Sequence, residues 1–279
     1  MSADTTKWDR ERLCDLVRDR LGDRRLIVVS NREPYEHTFS GDVITWKRPV
    51  GGLTEALDPV LRAAGGCWVA HGSGSGDRRT VGEDDTIPVP PDCPEYTLRR
   101  VWLTDEEVEG YYLGFANETL WPLCHIAFTP PVFNDAHWDV YRDVNRRFAD
   151  AVLREVDGRG AVVLVQDYHF ALLPALLKEA RPDLAVGQFW HIPWPPYDVF
   201  RACPWRRDII RGLAGNDLLG FHIPRFCANF LASAERCLES VSVSVPDTLE
   251  YAGHRTLVEP FPISIDFQSV SDAAASAEV

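Results

Sequence analysis

The chain has 279 residues and a mass of 31.4 kDa, and its 29 Lys+Arg stand against 42 Asp+Glu for a formal charge of −13. With 45% hydrophobic and 25% charged residues it is neither a disordered chain nor a collagen. The acidic balance, with no basic run longer than two residues, argues against a nucleic-acid partner, and apolar runs no longer than those at 161–165 and 170–177 argue against a membrane span.

Residues 8–21 read as an amphipathic helix, with Leu13, Leu16, Val17 and Leu21 on one face. LIVVS at 26–30 is a short β-branched run typical of a buried parallel strand. Residues 33–49 form a polar hairpin with Gly41-Asp42 at its turn, and Gly51-Gly52 opens a helix to Ala64. A second strand at 67–70 leads to a Gly/Ser loop at 71–76, read as flexible, and then to an acidic, Pro-rich surface loop at 77–95. After a strand at 96–103, Thr104 caps a helix with Glu107 at the capping-box position.

The second half alternates more regularly. Helices at 135–156, 170–180, 198–213 and 224–238 each precede a strand, at 161–166, 185–191, 217–221 and within 240–262. This pattern predicts an α/β fold, a doubly wound Rossmann-like parallel sheet with helices on both faces. The expected divisions are an N-terminal helical extension at 1–24, the Rossmann-like domain at 25–267 and a flexible tail at 268–279. Seven cysteines without a C-x-x-C pair, and an N-terminus without a signal-peptide pattern, read as reduced thiols in a cytoplasmic protein.

In such a sheet ligands bind outside the carboxyl ends of the strands. Arg32 sits there, and its guanidinium suits a phosphate or pairs with an acid such as Glu33. Gly51-Gly52 either brings backbone amides to an anion at a helix N-terminus or is a simple turn. Asp167 can accept from sugar hydroxyls; a metal site with His169 and His191 is the weaker reading, since no standard spacing matches. His191, held before a Pro-rich loop, donates to a hydroxyl, acts as acid or base, or is structural. Tyr112, Trp121 and Trp194 form an aromatic wall for a sugar ring, or belong to the core. Together these residue types point to a sugar-phosphate ligand.

Seven ordered segments then converge on one family: VVSNREP (28–34), VGGLTEAL (50–57), GYYLGFANETLWPLCH (110–125), VQDYHFALLP (165–174), FWHIPWPP (189–196), DLLGFHIPRF (217–226) and EPFPISID (259–266). The sequence resembles the trehalose-6-phosphate synthase family of retaining glucosyltransferases over about residues 25–267, corresponding to the N-terminal lobe of a GT-B fold. The resemblance implies that Arg32 grips the phosphate of glucose-6-phosphate beside Tyr112 and Trp121, and that Asp167 binds acceptor hydroxyls. It implies that His191 contacts the donor glucose near the reacting centre, and that the Gly52 amide faces the diphosphate of a nucleotide-glucose such as UDP-glucose. It implies no metal and no cofactor. It also implies a donor-binding C-terminal domain, absent here, so that a donor-domain partner in trans is expected. Two positions depart from the family pattern: His71 stands where a Trp is common, and Gln166 where a His is common. The segments REPY (32–35) and GFHIPRF (220–226) are also similar to glucosylglycerol-phosphate synthases, which use glycerol-3-phosphate; a non-catalytic sugar-phosphate-binding module is the third reading.

Overall fold

The computed structural model describes residues 10–158, 160–244, 247–262 and 274. The start of the first helix at residue 8, the boundary at 267 and, apart from residue 274, the tail at 268–279 lie outside the described residues.

A ten-stranded sheet forms the spine, with spatial order β10-β11-β12-β9-β8-β7-β1-β4-β6-β5. In chain order the strands are β1 (Arg25–Ser30), β2 (Glu36–Ser40), β3 (Val43–Lys47), β4 (Cys67–His71), β5 (Thr86–Val89), β6 (Tyr96–Val101), β7 (Ala161–Gln166), β8 (Ala185–Phe189), β9 (Leu218–Phe221), β10 (Ser242–Ser244), β11 (Thr248–Tyr251) and β12 (His254–Pro260). From β12 through to β6 every neighbouring pair is parallel; β5 and the β10–β11 pair are antiparallel at the two edges. The hairpin β2–β3 stands apart as its own small sheet. From β1 the chain winds outward through β4 and β6, then returns to place β7 on the other side of β1. The β1/β7 gap is therefore the topological switch point, where a crevice opens at the carboxyl edge.

Helices α1 (Arg10–Leu21) and α2 (Gly52–Ala64) pack together on one face. On the other face lie α3 (Asp105–Val108), a π-helix (Glu109–Leu120), α4 (Trp121–His125), α5 (Asp135–Glu155), α6 (Leu173–Ala180), α7 (Tyr197–Phe200), α8 (Arg206–Leu213) and α9 (Pro224–Cys237). Strand alternation decides which core each residue joins. Ile27 and Val29 of β1 with Cys67 and Val69 of β4 face the large cluster under α5–α9, while Leu26, Val28, Trp68 and Ala70 face the smaller one under α2. Burying each such side chain contributes about 1.5–3 kcal/mol.

The structure corrects four expectations. The 77–95 segment is not simply a surface loop: Asp77 is fully buried, and 86–89 forms edge strand β5. The 71–76 loop is tied down, with Ser73 N donating to Glu33 Oε1 (3.1 Å) and Gly74 N to Asp77 Oδ2 (2.6 Å). The helix expected at 198–213 is two short helices, α7 and α8, parted around Cys203-Pro204 because Pro lacks the amide a continuing helix needs. Finally, among the described residues the sheet is covered on both faces only at the β7–β1–β4–β6 end. Over β8 and β9, Gly187, Phe189 and Leu218 are half-buried and line a cleft opposite α2.

Candidate active site at the sheet switch point

Two adjoining cavities open at the carboxyl edge. The first, about 260 Å³, lies at the β1/β7 switch point and is lined by Asn31, Arg32, Gly51, Gly52, Tyr112, Gln166, Asp167 and His169 among others. The second, about 640 Å³ and mainly apolar, runs along α2 and β7–β9 past Gly52, Leu53, Gln166, Phe189, His191 and Phe261. Gly52, Leu53 and Gln166 border both, so the cavities meet there.

Arg32 comes just after the end of β1 and lines the smaller cavity. Among the described residues its guanidinium forms no hydrogen bond or ion pair, because Glu33 pairs with Arg100 instead (2.8 Å). A cation left unpaired at a concave polar site is available to an anionic ligand. Gly51 is extended (φ 172°, ψ 139°), α2 begins at Gly52, and no side chain caps it. Its first amides and the positive end of its dipole thus face the region where the cavities meet. A Cβ at Gly52 would meet nothing within 4 Å, so the chain leaves that space empty.

Asp167 is the N-terminal cap of a tight turn after β7, with Oδ1 accepting from the amides of Tyr168 (2.8 Å) and His191 (3.2 Å). Its backbone has φ 72° and ψ 176°, a region nearly reserved for glycine. Burial pushes its carboxyl up to about 7, with the two amide hydrogen bonds pulling the other way. The turn is held from behind. Tyr141 and Asn145 of α5 bond the carbonyls of Tyr168 (2.7 Å) and His169 (3.1 Å) and the amides of Ala171 (2.8 Å) and Leu172 (3.2 Å), and Gln188 of β8 donates to the Asp167 carbonyl (3.0 Å). These supports come from a distant helix, and no local motif in the sequence marks them.

Spacing suggests His169 only as a metal ligand, yet it lines the smaller cavity beside Tyr112, whose ring stacks on it at 5.5 Å and 21°. Burial drives its imidazole down to about 3, helped by His191 and Arg32. Its Nε2 and the Oδ1 of Asn31 are buried without a hydrogen-bond partner among the described residues. Unsatisfied buried polar atoms at a cavity wall are what a polar ligand would satisfy.

His191 lines the larger cavity. Its Nε2 lies 2.9 Å from Gln166 Oε1, an oxygen that can only accept, so the ring proton sits on Nε2. Burial, then the neighbouring His222, lowers it to about 4 and keeps it neutral near pH 7. Gln166 thus couples the two cavities. His71 donates its amide to the Asn31 carbonyl (3.3 Å) and does not line either cavity.

Trp121 lines neither of these two cavities. It is 44% exposed at the start of α4 and stacks on His125 at 4.1 Å. Trp194 is fully buried against Trp190, Phe200 and Phe230, a core residue. Among the described residues no three His, Cys, Asp or Glu side chains gather as a metal cluster, and no helix is long and apolar enough to cross a membrane.

Fold and site define a Rossmann-like lobe with a two-part ligand cleft at its switch point. The chain belongs to glycosyltransferase family 20, whose model matches residues 24–279. It is 42% identical over 261 residues to trehalose-6-phosphate synthase of Mycobacterium ulcerans (strain Agy99), covering 91% of this chain and 51% of that protein. To the Mycobacterium tuberculosis H37Rv enzyme of the same name it is 40% identical over 270 residues, covering 94% and 53%. Among solved structures, one described as trehalose-6-phosphate from E. coli bound with UDP-2-fluoro glucose superposes with a TM-score of 0.75 at 28% identity, covering 90% of this chain and 51% of that one. A UDP-forming α,α-trehalose-phosphate synthase from Burkholderia xenovorans gives 0.72 at 28%, covering 90% and 51%. The chain spans about half the length of the curated relatives it matches.

Proposed function

We propose that this chain is the acceptor-binding lobe of an α,α-trehalose-phosphate synthase, which transfers glucose from UDP-glucose to glucose-6-phosphate with retention. The observation that carries the reading is the junction of the two cavities. The smaller offers an unpaired Arg32, the Tyr112 ring and Asp167, a set suited to a phosphate, a sugar face and hydroxyls. The larger offers the α2 N-terminus at Gly52 and a neutral His191. A phosphorylated acceptor in the first would lie against a nucleotide-sugar in the second, at Gly52 and Gln166. The relatives' names support the substrates: a trehalose-6-phosphate product carries the phosphate of the acceptor, and the E. coli structure holds a UDP-sugar analogue.

In this reading Arg32 binds the acceptor phosphate, Tyr112 packs on its ring, and Asp167 accepts from its hydroxyls. Trp121 serves as a further acceptor contact only if the segment around α4 moves toward the cavity. His191, its ring proton held by Gln166, accepts at Nδ1 from the donor glucose, and the Gly52 amide meets the diphosphate. The leaving phosphate accepts the proton of the attacking hydroxyl on the same face, so the lobe contributes positioning and charge stabilisation rather than a nucleophile. No metal or cofactor has a role. Groups that hold the nucleotide come from a second, donor-binding domain, in the same polypeptide or in trans. Seven free cysteines, five of them buried, support action in the reducing cytoplasm.

The test mixes the chain with UDP-glucose and glucose-6-phosphate, with and without the donor-binding half of a family member. Trehalose-6-phosphate should form only when both are present, and glycerol-3-phosphate should not compete. Full turnover by the lobe alone, or preferential use of glycerol-3-phosphate, would overturn the proposal.

A further inference from the structure

Arg32 lines the acceptor cavity, but the next residue turns away from it. Glu33 is 1% exposed and lies in a buried cluster with Arg100 of β6, Asp77 and His37, which are 2%, 0% and 5% exposed. Arg100 Nε donates to Glu33 Oε2 (2.8 Å). Its other N–H groups reach the Tyr35 carbonyl (3.0 Å), the Asp77 carbonyl (3.2 Å), Thr80 Oγ1 (2.9 Å), Asp77 Oδ1 (2.8 Å) and His37 Nδ1 (2.8 Å). Because a guanidinium can only donate, His37 Nδ1 accepts. Asp77 also takes the backbone amides of His37 (2.8 Å) and Gly74 (2.6 Å), and Glu33 Oε1 takes that of Ser73 (3.1 Å). The cluster therefore ties segment 33–37 to the 73–80 segment and to β6. On the near side, Trp68 Nε1 donates to Ser30 Oγ (2.7 Å), which donates to the Arg32 carbonyl (2.6 Å). The Arg32 carbonyl is thus held by Ser30 and the residues after it by the cluster, while its own side chain has no partner among the described residues.

Stability alone is a poor reason for this cluster. Desolvating each charge costs several kcal/mol, and apolar residues of similar volume often serve as well. A fully bonded buried network does supply one defined geometry. We propose that the Arg100–Glu33–Asp77–His37 cluster is a positioning device for Arg32, holding the strand-end segment so that the guanidinium stays aimed into the acceptor cavity.

The inference rests on Arg32 being the acceptor-phosphate ligand. It has a consequence at alkaline pH. Burial, and then its hydrogen bond to Asp77, push Glu33 up to about 8, while Asp77, though burial raises it, is held low by hydrogen bonds from Glu33 and the His37 backbone amide. Near neutrality the cluster thus balances one guanidinium against one carboxylate. When Glu33 ionises, a second buried negative charge faces Asp77 and the Ser73 hydroxyl from the 73–80 segment and His37 from β2, with only Arg100 of β6 to offset it. The geometry loosens as a result.

Two readouts test this on the intact chain at about pH 7 and about pH 9.5, where a sugar phosphate stays dianionic. One is amide hydrogen exchange of residues 31–37, corrected for base catalysis against α9. The other is calorimetric titration with glucose-6-phosphate. In the wild type, protection of 31–37 should drop and affinity should fall by about fivefold or more at the higher pH. In Glu33→Gln, which cannot ionise, affinity should be the same at both pH values. Equal protection and equal affinity in the wild type at both pH values would overturn the inference, and that comparison stands even if the variant does not fold. An unchanged alkaline loss in folded Glu33→Gln would overturn it too. If the wild type binds no glucose-6-phosphate at either pH, the acceptor reading fails, and the exchange arm still decides whether the cluster positions the segment.

Discussion

Asp167 and His169 are placed where stability alone would not place them. Asp167 holds a backbone conformation that costs a side-chain-bearing residue about 1–3 kcal/mol. Glycine relieves that strain but gives up the two amide hydrogen bonds, so Asp167→Gly should unfold within about 1 kcal/mol of the wild type while losing glucose-6-phosphate binding. Lower stability with binding retained would contradict a role at the site. His169 stacks against Tyr112 and Tyr168 with its Nε2 unpartnered. A phenylalanine fills the same space without the unsatisfied nitrogen, an exchange worth on the order of 1 kcal/mol. Proton counting gives the sign of the pH effect. His169 and His191 are depressed to about 3 and about 4 in the folded chain, so between the ordinary histidine range and those values the unfolded chain binds more protons. Their contribution is present above about pH 6.5 and is lost as pH falls. Asp167, raised to about 7, acts oppositely: its cost grows as pH rises from about 4 to about 7, partly masking the histidines. His169→Phe should therefore be at least as stable at about pH 7 and lose less stability on going to about pH 5, as read by urea unfolding at each pH.

At the scale of elements, strand ends were legible and helix geometry was not. β-branched runs and the carboxyl-edge rule led from sequence to Arg32, Asp167 and His191, and the Thr104/Glu107 capping box forms as expected, with Thr104 N donating to Glu107 Oε2 (2.9 Å). Beyond that cap and the short α3 the chain forms a π-helix, because its shape is set by a neighbour far along the chain. A Cβ on Gly110 would come within 3.0 Å of Val140, and one on Gly114 would run into the His137 ring, both on α5. With this wider turn Tyr112 lines the smaller cavity and Trp121 does not. Gly114→Ala should cost about 1–3 kcal/mol by overpacking. It should also weaken acceptor binding through Tyr112, measurable by unfolding and titration on the same sample; full stability would contradict the packing account. Edge strand β5 was hidden for a related reason: TIPV is short, contains Pro and lies in an acidic stretch, so only pairing with β6 reveals it. That Arg32 does not pair with Glu33 was likewise set by a residue 67 positions from Glu33.

For the whole molecule, the alternation of strands and helices gave the sheet but overstated its cover. The face of β8 and β9 opposite the main helical layer carries half-buried apolar residues and forms a cleft of about 640 Å³. Within the REPY segment, which resembled a glycerol-phosphate enzyme, Glu33 and Tyr35 serve the interior, bonding Arg100 and donating to Asp58 (3.0 Å), while Arg32 lines the cavity. A net charge of −13 does not favour an anionic ligand, so its recognition must be local, at Arg32 and the α2 N-terminus. The central claim is therefore that one unpaired guanidinium at the switch point captures a sugar phosphate. Calorimetric titration of the chain with glucose-6-phosphate, wild type against Arg32→Ala, tests it most directly. The account requires saturable binding by the wild type and a loss of about 1.5–3 kcal/mol, roughly 10- to 150-fold in affinity, in the variant. Equal affinity of the two folded proteins, or no binding by the wild type, would contradict it.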